Sequence, residues 1–187
     1  ISSLLSLQSE SIQDPSAWDA VQESKNRVNS MALLHQKLYQ RENLAAIEMR
    51  DYFETIGKTI LDSFGEKAEN VSLHIEMPAL ELDVDTAVPI GLITNELVTN
   101  SLKYAFPGRK KGRIAITLTT DENDMLQLHI SDNGHANANE GAPKDGGGFG
   151  TLLVQLLTAQ LGGKLETLTK EGTATTIRFP RQEKSAA

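Results

Sequence analysis

The spacing of apolar residues changes along this chain, and that change most constrains its fold. In residues 1–43 the apolar side chains recur at alternating steps of three and four, which is the spacing of packed amphipathic helices. After residue 70, apolar and polar side chains alternate one by one in several short runs, as they do in half-buried strands. The sequence therefore predicts a helical segment at residues 1–43 and a mixed domain of helices and strands at residues 44–187.

The first segment has the pattern of a partial helical hairpin. Residues 1–12 carry an apolar stripe with no N-cap before it, as in a helix cut in its middle. Asp14-Pro15 then provides a stop and a new helix start. The second helix, predicted to end near Arg41, has a seam formed by Val21, Ser24, Val28, Met31, His35 and Leu38. Two short antiparallel helices cannot bury such a stripe alone, so we expect a homodimer through residues 1–43.

Residues 44–187 predict an α+β fold, a two-layer sandwich of helices on a largely antiparallel sheet. An amphipathic helix is expected after Asn43 and ends at Gly65, and a strand follows at residues 71–77. A longer helix is predicted at residues 85–105, capped by Asp85 or Thr86 and with Pro89 in its first turn.

The rest of the domain is predicted from strand alternation and turn residues. Apolar residues at 114, 116 and 118 alternate like those at 126, 128 and 130, across the polar turn 121–124, which is typical of a hairpin. Residues 132–150 are rich in glycine and almost without large apolar side chains, so a mobile binding loop or lid is expected. A helix from Thr151 to Leu161 and two strands around Gly172 complete the domain.

Charge and composition exclude several kinds of partner and site. The formal net charge of −7, from 25 acidic and 18 basic residues, disfavours nucleic acid and anionic lipid. The absence of cysteine excludes disulfides and thiolate metal sites and favours a reducing compartment, so we expect a cytoplasmic location. No apolar run approaches the roughly 20 residues that span a bilayer. We therefore expect no direct membrane insertion of this chain, whether its parent protein is soluble or membrane-anchored.

The predicted helix at residues 85–105 carries a polar stripe. Glu96, Asn100 and Lys103 recur at helical spacing on one face of an otherwise apolar segment. A carboxamide oxygen suits Mg²⁺, and an ammonium group suits phosphate. The stripe has two interpretations, which are the wall of a nucleotide site and the solvated face of an amphipathic helix.

Two further segments carry candidate binding chemistry. Asp132-Asn133-Gly134 directly follows an apolar strand, where a carboxylate can accept a hydrogen bond from an exocyclic amine, although the same residues are also common in turns. The run from Gly146 to Thr151 opens a helix, where exposed backbone N–H groups can approach phosphate. A flexible linker is the alternative interpretation of that run.

In this order, the three segments resemble those of sensor histidine kinases. The run NELVTNSLKYAF at residues 95–106 resembles the N box, DNG at 132–134 the first glycine box, and GFGTLLV at 148–154 the second. The runs at residues 1–8 and 32–39 resemble the dimerisation helices of the HisKA_2/HWE-like subfamily. The resemblance implies a GHKL-type ATP-binding domain of the Bergerat fold at residues 44–187, preceded by partial dimerisation and histidine-phosphotransfer helices at 1–43.

The resemblance also implies roles for the residues of the polar stripe. Asn100 would coordinate Mg²⁺, and Lys103 would contact the phosphates of ATP. Glu96 would be the catalytic residue, as general base or polariser of the attacking imidazole. Asn95 and Tyr104 would be neighbours of the pocket.

The glycine boxes carry the other implied roles. Asp132 would bind the adenine amine, Gly134 would let the backbone pass under the base, and Thr173 would support that polar pocket. The lid and phosphate loop would be formed by Gly146, Gly148, Gly150 and Thr151.

The implied function is transfer of the γ-phosphoryl group of ATP to a histidine and thence to an aspartate of a response-regulator receiver domain. The acceptor histidine is expected outside this chain, because none of its four histidines stands in the acceptor motif. Ala136 also replaces a glycine that is usual in the first glycine box. The alternatives are a degenerate module that binds a response regulator without catalysis, and an anti-sigma serine kinase or other GHKL ATPase.

Overall fold

The computed structural model describes residues 46–107, 111–135 and 149–181 continuously. It also describes single positions in the first 32 residues, which are Ile12, Asp14, Ala17, Trp18, Val21, Ser24, Lys25, Val28 and Ala32. The chain divides into two compact units, residues 1–44 and 45–187. The predicted domain boundary after residue 43 and the dimerisation role of the first unit stay predictions.

In the first unit, the described positions from residue 17 to 32 are helical. The backbone N–H of Trp18 donates to the carbonyl of Asp14 at 2.9 Å, as expected in the first turn of a helix. Val21, Ser24 and Val28, three members of the predicted seam, are half-buried. The stripe predicted at residues 1–12, apart from Ile12, and the seam positions Met31, His35 and Leu38 lie outside the described residues.

The second unit confirms the predicted α+β two-layer sandwich. In chain order its elements are β1 (Ile47–Glu48), α1 (Met49–Phe64), a 3₁₀ turn (Gly65–Ala68), β2 (Val71–Glu76), β3 (Glu81–Leu82), α2 (Val84–Tyr104), β4 (Gly112–Thr120), β5 (Met125–Asp132), α3 (Phe149–Gln160), β6 (Lys164–Thr169) and β7 (Thr173–Pro180). The central sheet has the strand order β2-β4-β5-β7-β6, in which β2 and β4 are parallel and the other pairs antiparallel. A second small sheet pairs β1 with β3.

Helix α1 follows the predicted amphipathic pattern. The carboxylate of Glu48 caps it by accepting from the backbone N–H groups of Arg50 at 3.2 Å and Asp51 at 2.7 Å. The helix ends before Gly65, whose φ of +52° closes the last turn. Its buried face is formed by Met49, Tyr52, Phe53, Ile56, Gly57 and Ile60.

Helix α2 starts earlier than predicted. Asp83 is the N-cap, and its carboxylate accepts from the backbone N–H of Thr86 at 2.8 Å and from its hydroxyl at 2.9 Å. The prediction of Asp85 or Thr86 as the cap was therefore wrong. Pro89 consequently lies in the second turn rather than the first. It removes one helical N–H at that point, and the helix nevertheless continues to Tyr104.

The hairpin of β4 and β5 forms as predicted, but only two of the three apolar positions in each strand face each other. Ile114 lies opposite Asp132, and Leu126 lies opposite Thr120. Ile116 lies opposite Ile130, and Leu118 lies opposite Leu128. Six apolar residues on the inward face of the two strands are buried, which are Ile114, Ile116, Leu118, Leu126, Leu128 and Ile130. The helices cover this face of the sheet, so its apolar side chains form the core of the second unit.

Helix α3 begins two residues before the predicted start. Gly150 and Thr151 therefore lie in its first turn rather than at its start, and Phe149 opens the helix. A helical glycine costs about 1 kcal/mol relative to alanine. The burial of Val154 and Leu157 on the inner face of the helix offsets that cost. Across the described helices, none is both long and apolar enough to cross a bilayer.

Candidate functional site

Asp132, the last residue of β5, is the centre of a buried hydrogen-bond cluster. Its side chain is 9% exposed. Oδ1 accepts from the backbone N–H groups of Gly134 at 2.9 Å and Thr173 at 3.3 Å. Oδ2 accepts from the hydroxyl of Ser101 at 2.9 Å. The structure thus brings together three predicted site residues, and the carboxylate is held in one orientation.

Ser101 is a member of this cluster that sequence reasoning missed. It lies on a buried stripe that runs along α2 to its C-cap and contains Ile90, Thr94, Val98, Ser101 and Ala105. A buried hydroxyl requires a hydrogen-bond partner, so its place in an apolar stripe was an available signal. The sequence did not reveal that the partner lies 31 residues away, at the end of β5.

The backbone after Asp132 is clamped between α2 and β4. The backbone N–H of His135 donates to the carbonyl of Ala105, the C-cap residue of α2, at 2.8 Å. Asn133 and Arg113 are joined by two hydrogen bonds. The backbone N–H of Asn133 donates to the Arg113 carbonyl at 3.1 Å, and the backbone N–H of Arg113 donates to Asn133 Oδ1 at 2.7 Å. A Cβ at Gly134 would come within 2.3 Å of the Ala105 carbonyl oxygen. The loop therefore requires glycine at this point.

The turn between β6 and β7 packs directly against Asp132. Gly172 has a φ of +116°, and a Cβ there would lie 2.0 Å from the carbonyl oxygen of Asp132. This close approach brings the backbone N–H of Thr173 to the carboxylate. In the structure, Thr173 supports Asp132 through its main chain.

The polar stripe of α2 is only partly solvated. Glu96 is only 4% exposed and Asn95 only 2% exposed, whereas Asn100 and Lys103 are half-buried. The interpretation as an ordinary exposed helix face is therefore wrong for Glu96. Tyr104 is 48% exposed at the end of the helix, and its role as a pocket neighbour stays a prediction.

The predicted phosphate loop is described only at its end. Gly146 and Gly148 lie outside the described residues. Gly150 is half-buried and Thr151 exposed in the first turn of α3. The first turn of a helix has backbone N–H groups without helical partners, and these groups favour anions. The start of α3 is therefore chemically suited to phosphate.

The donor set fits Mg²⁺ that is bound together with a phosphorylated substrate. Within residues 46–107, 111–135 and 149–181 and the single described positions, no group of three or more histidine, cysteine or acidic side chains could hold a metal. Asn100 offers one half-buried carboxamide. Mg²⁺ usually keeps several waters and takes one or two protein oxygens together with substrate phosphates. A single protein oxygen is consistent with that mode of binding.

Two family models match the chain. A model described as "Histidine kinase" matches residues 1–64. A second, described as "Histidine kinase-, DNA gyrase B-, and HSP90-like ATPase", matches residues 85–183, which is just over half of the chain. The second match includes all the site residues discussed above, from the α2 stripe to the β6–β7 turn.

The chain is also similar to two curated proteins of Erythrobacter litoralis (strain HTCC2594). It is 26% identical to Blue-light-activated histidine kinase 2 over 162 residues, which are 82% of this chain and 44% of that protein. It is 25% identical to Blue-light-activated histidine kinase 1 over 141 residues, which are 75% of this chain and 38% of that protein. The chain thus spans less than half the length of these relatives.

Among solved structures, the histidine kinase domain of the Erythrobacter litoralis EL346 blue-light activated histidine kinase has a similar fold. The TM-score is 0.75 at 22% sequence identity, and the match covers 96% of this chain and 94% of that one.

Proposed function

Because the chain belongs to the histidine kinase-, DNA gyrase B- and HSP90-like ATPase family, with a histidine kinase segment before it, we propose that it transfers the γ-phosphoryl group of ATP to a histidine. The chain is a sensor histidine kinase catalytic core of the HWE type. The acceptor histidine is proposed to lie outside these 187 residues. The phosphoryl group then passes to an aspartate of a response-regulator receiver domain.

The observation that carries the proposal is the buried, oriented carboxylate of Asp132. A carboxylate is an acceptor only, so it binds a nucleobase that presents an N–H donor. The exocyclic amine of adenine is such a donor. Guanine also has donors, at N1 and in its 2-amino group, and the match to an ATPase family favours adenine. We therefore assign the recognition of adenine to Asp132. Gly134, where the backbone packs too closely against Ala105 for a Cβ, is assigned to the backbone that passes under the base.

The polar stripe of α2 and the start of α3 are assigned to the phosphates. Asn100 would hold Mg²⁺, which neutralises negative charge on the phosphates when bound. Lys103 adds a positive charge on the same face of the helix, one turn after Asn100. Backbone N–H groups at Gly146, Gly148, Gly150 and Thr151 would bind the phosphate oxygens.

Glu96 is assigned to the attacking imidazole. During transfer a nitrogen–phosphorus bond forms as the bond between the γ-phosphorus and the bridging oxygen breaks. Glu96 can accept a hydrogen bond from the other ring nitrogen and so orient the imidazole. Its burial supports this role, because electrostatic interactions are stronger away from water. Phosphoryl transfer requires little covalent chemistry from the protein, so positioning and charge neutralisation carry most of the rate.

The first unit is assigned to dimerisation and to the response regulator. The histidine kinase model that matches residues 1–64 favours this proposal over an anti-sigma serine kinase or another ATPase of the same fold. The half-buried positions Val21, Ser24 and Val28 have the spacing of a helix packed against another. We propose that a second copy of the chain packs along this seam.

Phosphorylation of an upstream histidine tests the transfer. A longer form of the protein that includes the proposed acceptor is incubated with Mg²⁺ and ATP labelled at the γ-phosphate. We expect a label that acid removes and alkali does not, because a phosphorus–nitrogen bond is acid-labile. Asn100→Asp should abolish labelling, since it places a negative charge beside the phosphates and removes an amide donor. The matched control Asn70→Asp alters an exposed turn and should label normally.

Two results would contradict specific parts of this proposal. Acid-stable label would contradict histidine as the acceptor. Unchanged labelling of Asn100→Asp would contradict the placement of Asn100 beside the phosphates.

A further inference from the structure

We propose that Ser101 is a positioning residue that acts through Asp132 and increases the preference of the site for adenine over a purine without the 6-amino group. The inference rests on the proposed function, because it assumes that Asp132 contacts the base. Its starting point is the hydrogen bond of 2.9 Å from the Ser101 hydroxyl to Asp132 Oδ2.

The two carboxylate oxygens of Asp132 accept different numbers of hydrogen bonds. Oδ1 accepts from two backbone N–H groups, those of Gly134 and Thr173. Among the residues that the structure describes, Oδ2 accepts only from Ser101. Each carboxylate oxygen has room for about two hydrogen bonds, so the acceptor position that remains is on Oδ2. Oδ2 is therefore the atom that binds the base, and Ser101 fixes where its second acceptor position points.

The Ser101 hydroxyl also determines what the site presents to a ligand. A hydroxyl has one proton, and this one is donated to Asp132. Ser101 is 8% exposed, so water competes little for its proton. Ser101 and Asp132 together present acceptors only. An amine satisfies this pair, whereas a purine carbonyl faces it with a second acceptor.

The same bond links the base-binding residue to the helix proposed to hold the phosphates. Ser101 follows Asn100 directly and precedes Lys103 by two residues on α2. A second bond, from the N–H of His135 to the carbonyl of Ala105, ties the end of the helix to the loop after Asp132. Two bonds one turn apart oppose rotation of α2 relative to β5. Ser101 thereby fixes the base-binding and phosphate-binding groups relative to each other.

The test measures the affinity of the 187-residue chain for ATP and for purine riboside triphosphate, which lacks the exocyclic amine. In the wild type, ATP is expected to bind more tightly. In Ser101→Ala, we expect the Kd for ATP to rise about tenfold, which corresponds to about 1.4 kcal/mol. The Kd for purine riboside triphosphate should change less than about threefold, because the amine contact that Ser101 supports is already absent.

Two control variants separate positioning from a general structural effect. Thr94→Val removes a hydroxyl from the same buried stripe, but the Oγ1 of Thr94 has no hydrogen-bond partner among the described residues. It should leave both affinities unchanged. Ser101→Thr keeps the hydroxyl and should restore most of the preference for ATP. The unfolding temperature of each variant verifies that it is folded.

The outcomes distinguish this inference from the proposed function. Equal weakening of both nucleotides in Ser101→Ala, or an unchanged preference for ATP, would overturn the positioning role while leaving adenine recognition intact. A wild-type chain that binds both nucleotides equally, or neither, would overturn the proposed function and this inference together. Selective loss of ATP affinity in Ser101→Ala alone supports both.

Discussion

Single residues around Asp132 are constrained by backbone contacts as much as by side-chain chemistry. The carboxylate is oriented by two main-chain N–H groups and one hydroxyl, and all three donors come from different segments of the chain. A charged hydrogen bond in a buried site contributes more than a neutral one at the surface. Small changes in backbone position here should therefore alter ligand binding even where no ligand-contacting side chain is replaced.

Gly172→Ala tests that dependence. The variant combines an unfavourable φ of +116° with a Cβ placed 2.0 Å from the Asp132 carbonyl oxygen. We expect it to lower the free energy of unfolding by at least about 2 kcal/mol, from backbone strain and overpacking together. It should also weaken ATP binding, because the turn that supports Asp132 must move. Urea unfolding and nucleotide titration measure the two effects.

Gly65→Ala is the matched control for Gly172→Ala. Gly65 also has a positive φ, of +52°, but a Cβ there meets no atom within 4 Å. Gly65→Ala should lower the free energy of unfolding by only about 1 kcal/mol and leave ATP binding unchanged. Equal losses of stability in the two variants would show that the contact with Asp132 contributes nothing.

At the scale of elements, the hairpin of β4 and β5 has a charged turn that stabilises it. The Asp121 carboxylate accepts from the backbone N–H groups of Met125 at 3.0 Å and Asn123 at 2.9 Å. It also pairs with Arg178 of β7 at 2.9 Å. The backbone hydrogen bonds, with a smaller effect from Arg178, lower the pKa of Asp121 below its ordinary value.

This shift predicts how the stability of the hairpin depends on pH. A carboxyl whose pKa is lower in the folded state stabilises it above the unfolded pKa, and the effect is lost as pH falls through the folded pKa. Asp121→Asn resembles the protonated form, so its urea midpoint should lie below that of the wild type at about pH 6. The difference should shrink toward zero as pH falls below the ordinary aspartate pKa and then through the lower pKa of the folded state.

Glu122→Gln is the control for that measurement. It removes one negative charge from the same turn at an exposed position. We expect its urea midpoint to match the wild type at both pH values. If the urea midpoints of Asp121→Asn and the wild type differ by the same amount at neutral and at acid pH, a role for the ionised carboxylate is contradicted.

The elements that sequence patterns predicted best are those with strong local periodicity. The alternation in β4 and β5 predicted their pairing, and the spacing of Phe53, Ile56 and Ile60 predicted α1. The start of α2 was misplaced because Asp83 and Asp85 are equivalent in sequence. The pairing of Leu82 with Ile47 ends a strand immediately before Asp83, which leaves that residue extended as a cap requires.

Sequence patterns predicted only those residues of the candidate site that lie in local motifs. Asp132, Gly134 and Thr173 lie in recognisable local motifs, and the structure brings them together. Ser101 and Gly172 were not assigned roles, because each acts through a contact across the fold. Such contacts depend on the order of strands in the sheet, which residue spacing does not encode.

At the scale of the whole molecule, the fold assembles the site at one end of the central strands. β5 ends at Asp132, and the antiparallel neighbour β7 begins at Thr173, so the two residues meet at the same edge of the sheet. The buried stripe of α2 faces this edge through Ser101. A net charge of −7 repels a nucleotide at long range, so local groups such as Lys103 and backbone N–H donors must provide the attraction.

Calorimetric titration of the 187-residue chain with ATP in the presence of Mg²⁺ tests nucleotide binding at this site most directly. We expect one binding site with measurable heat, and at least about tenfold weaker binding in Asp132→Asn, which replaces one acceptor oxygen with a donor. Asp121→Asn, the same change in the distant β4–β5 turn, should bind ATP like the wild type. Absence of heat with the wild type, or equal affinity in Asp132→Asn, would contradict the assignment of ATP to this site.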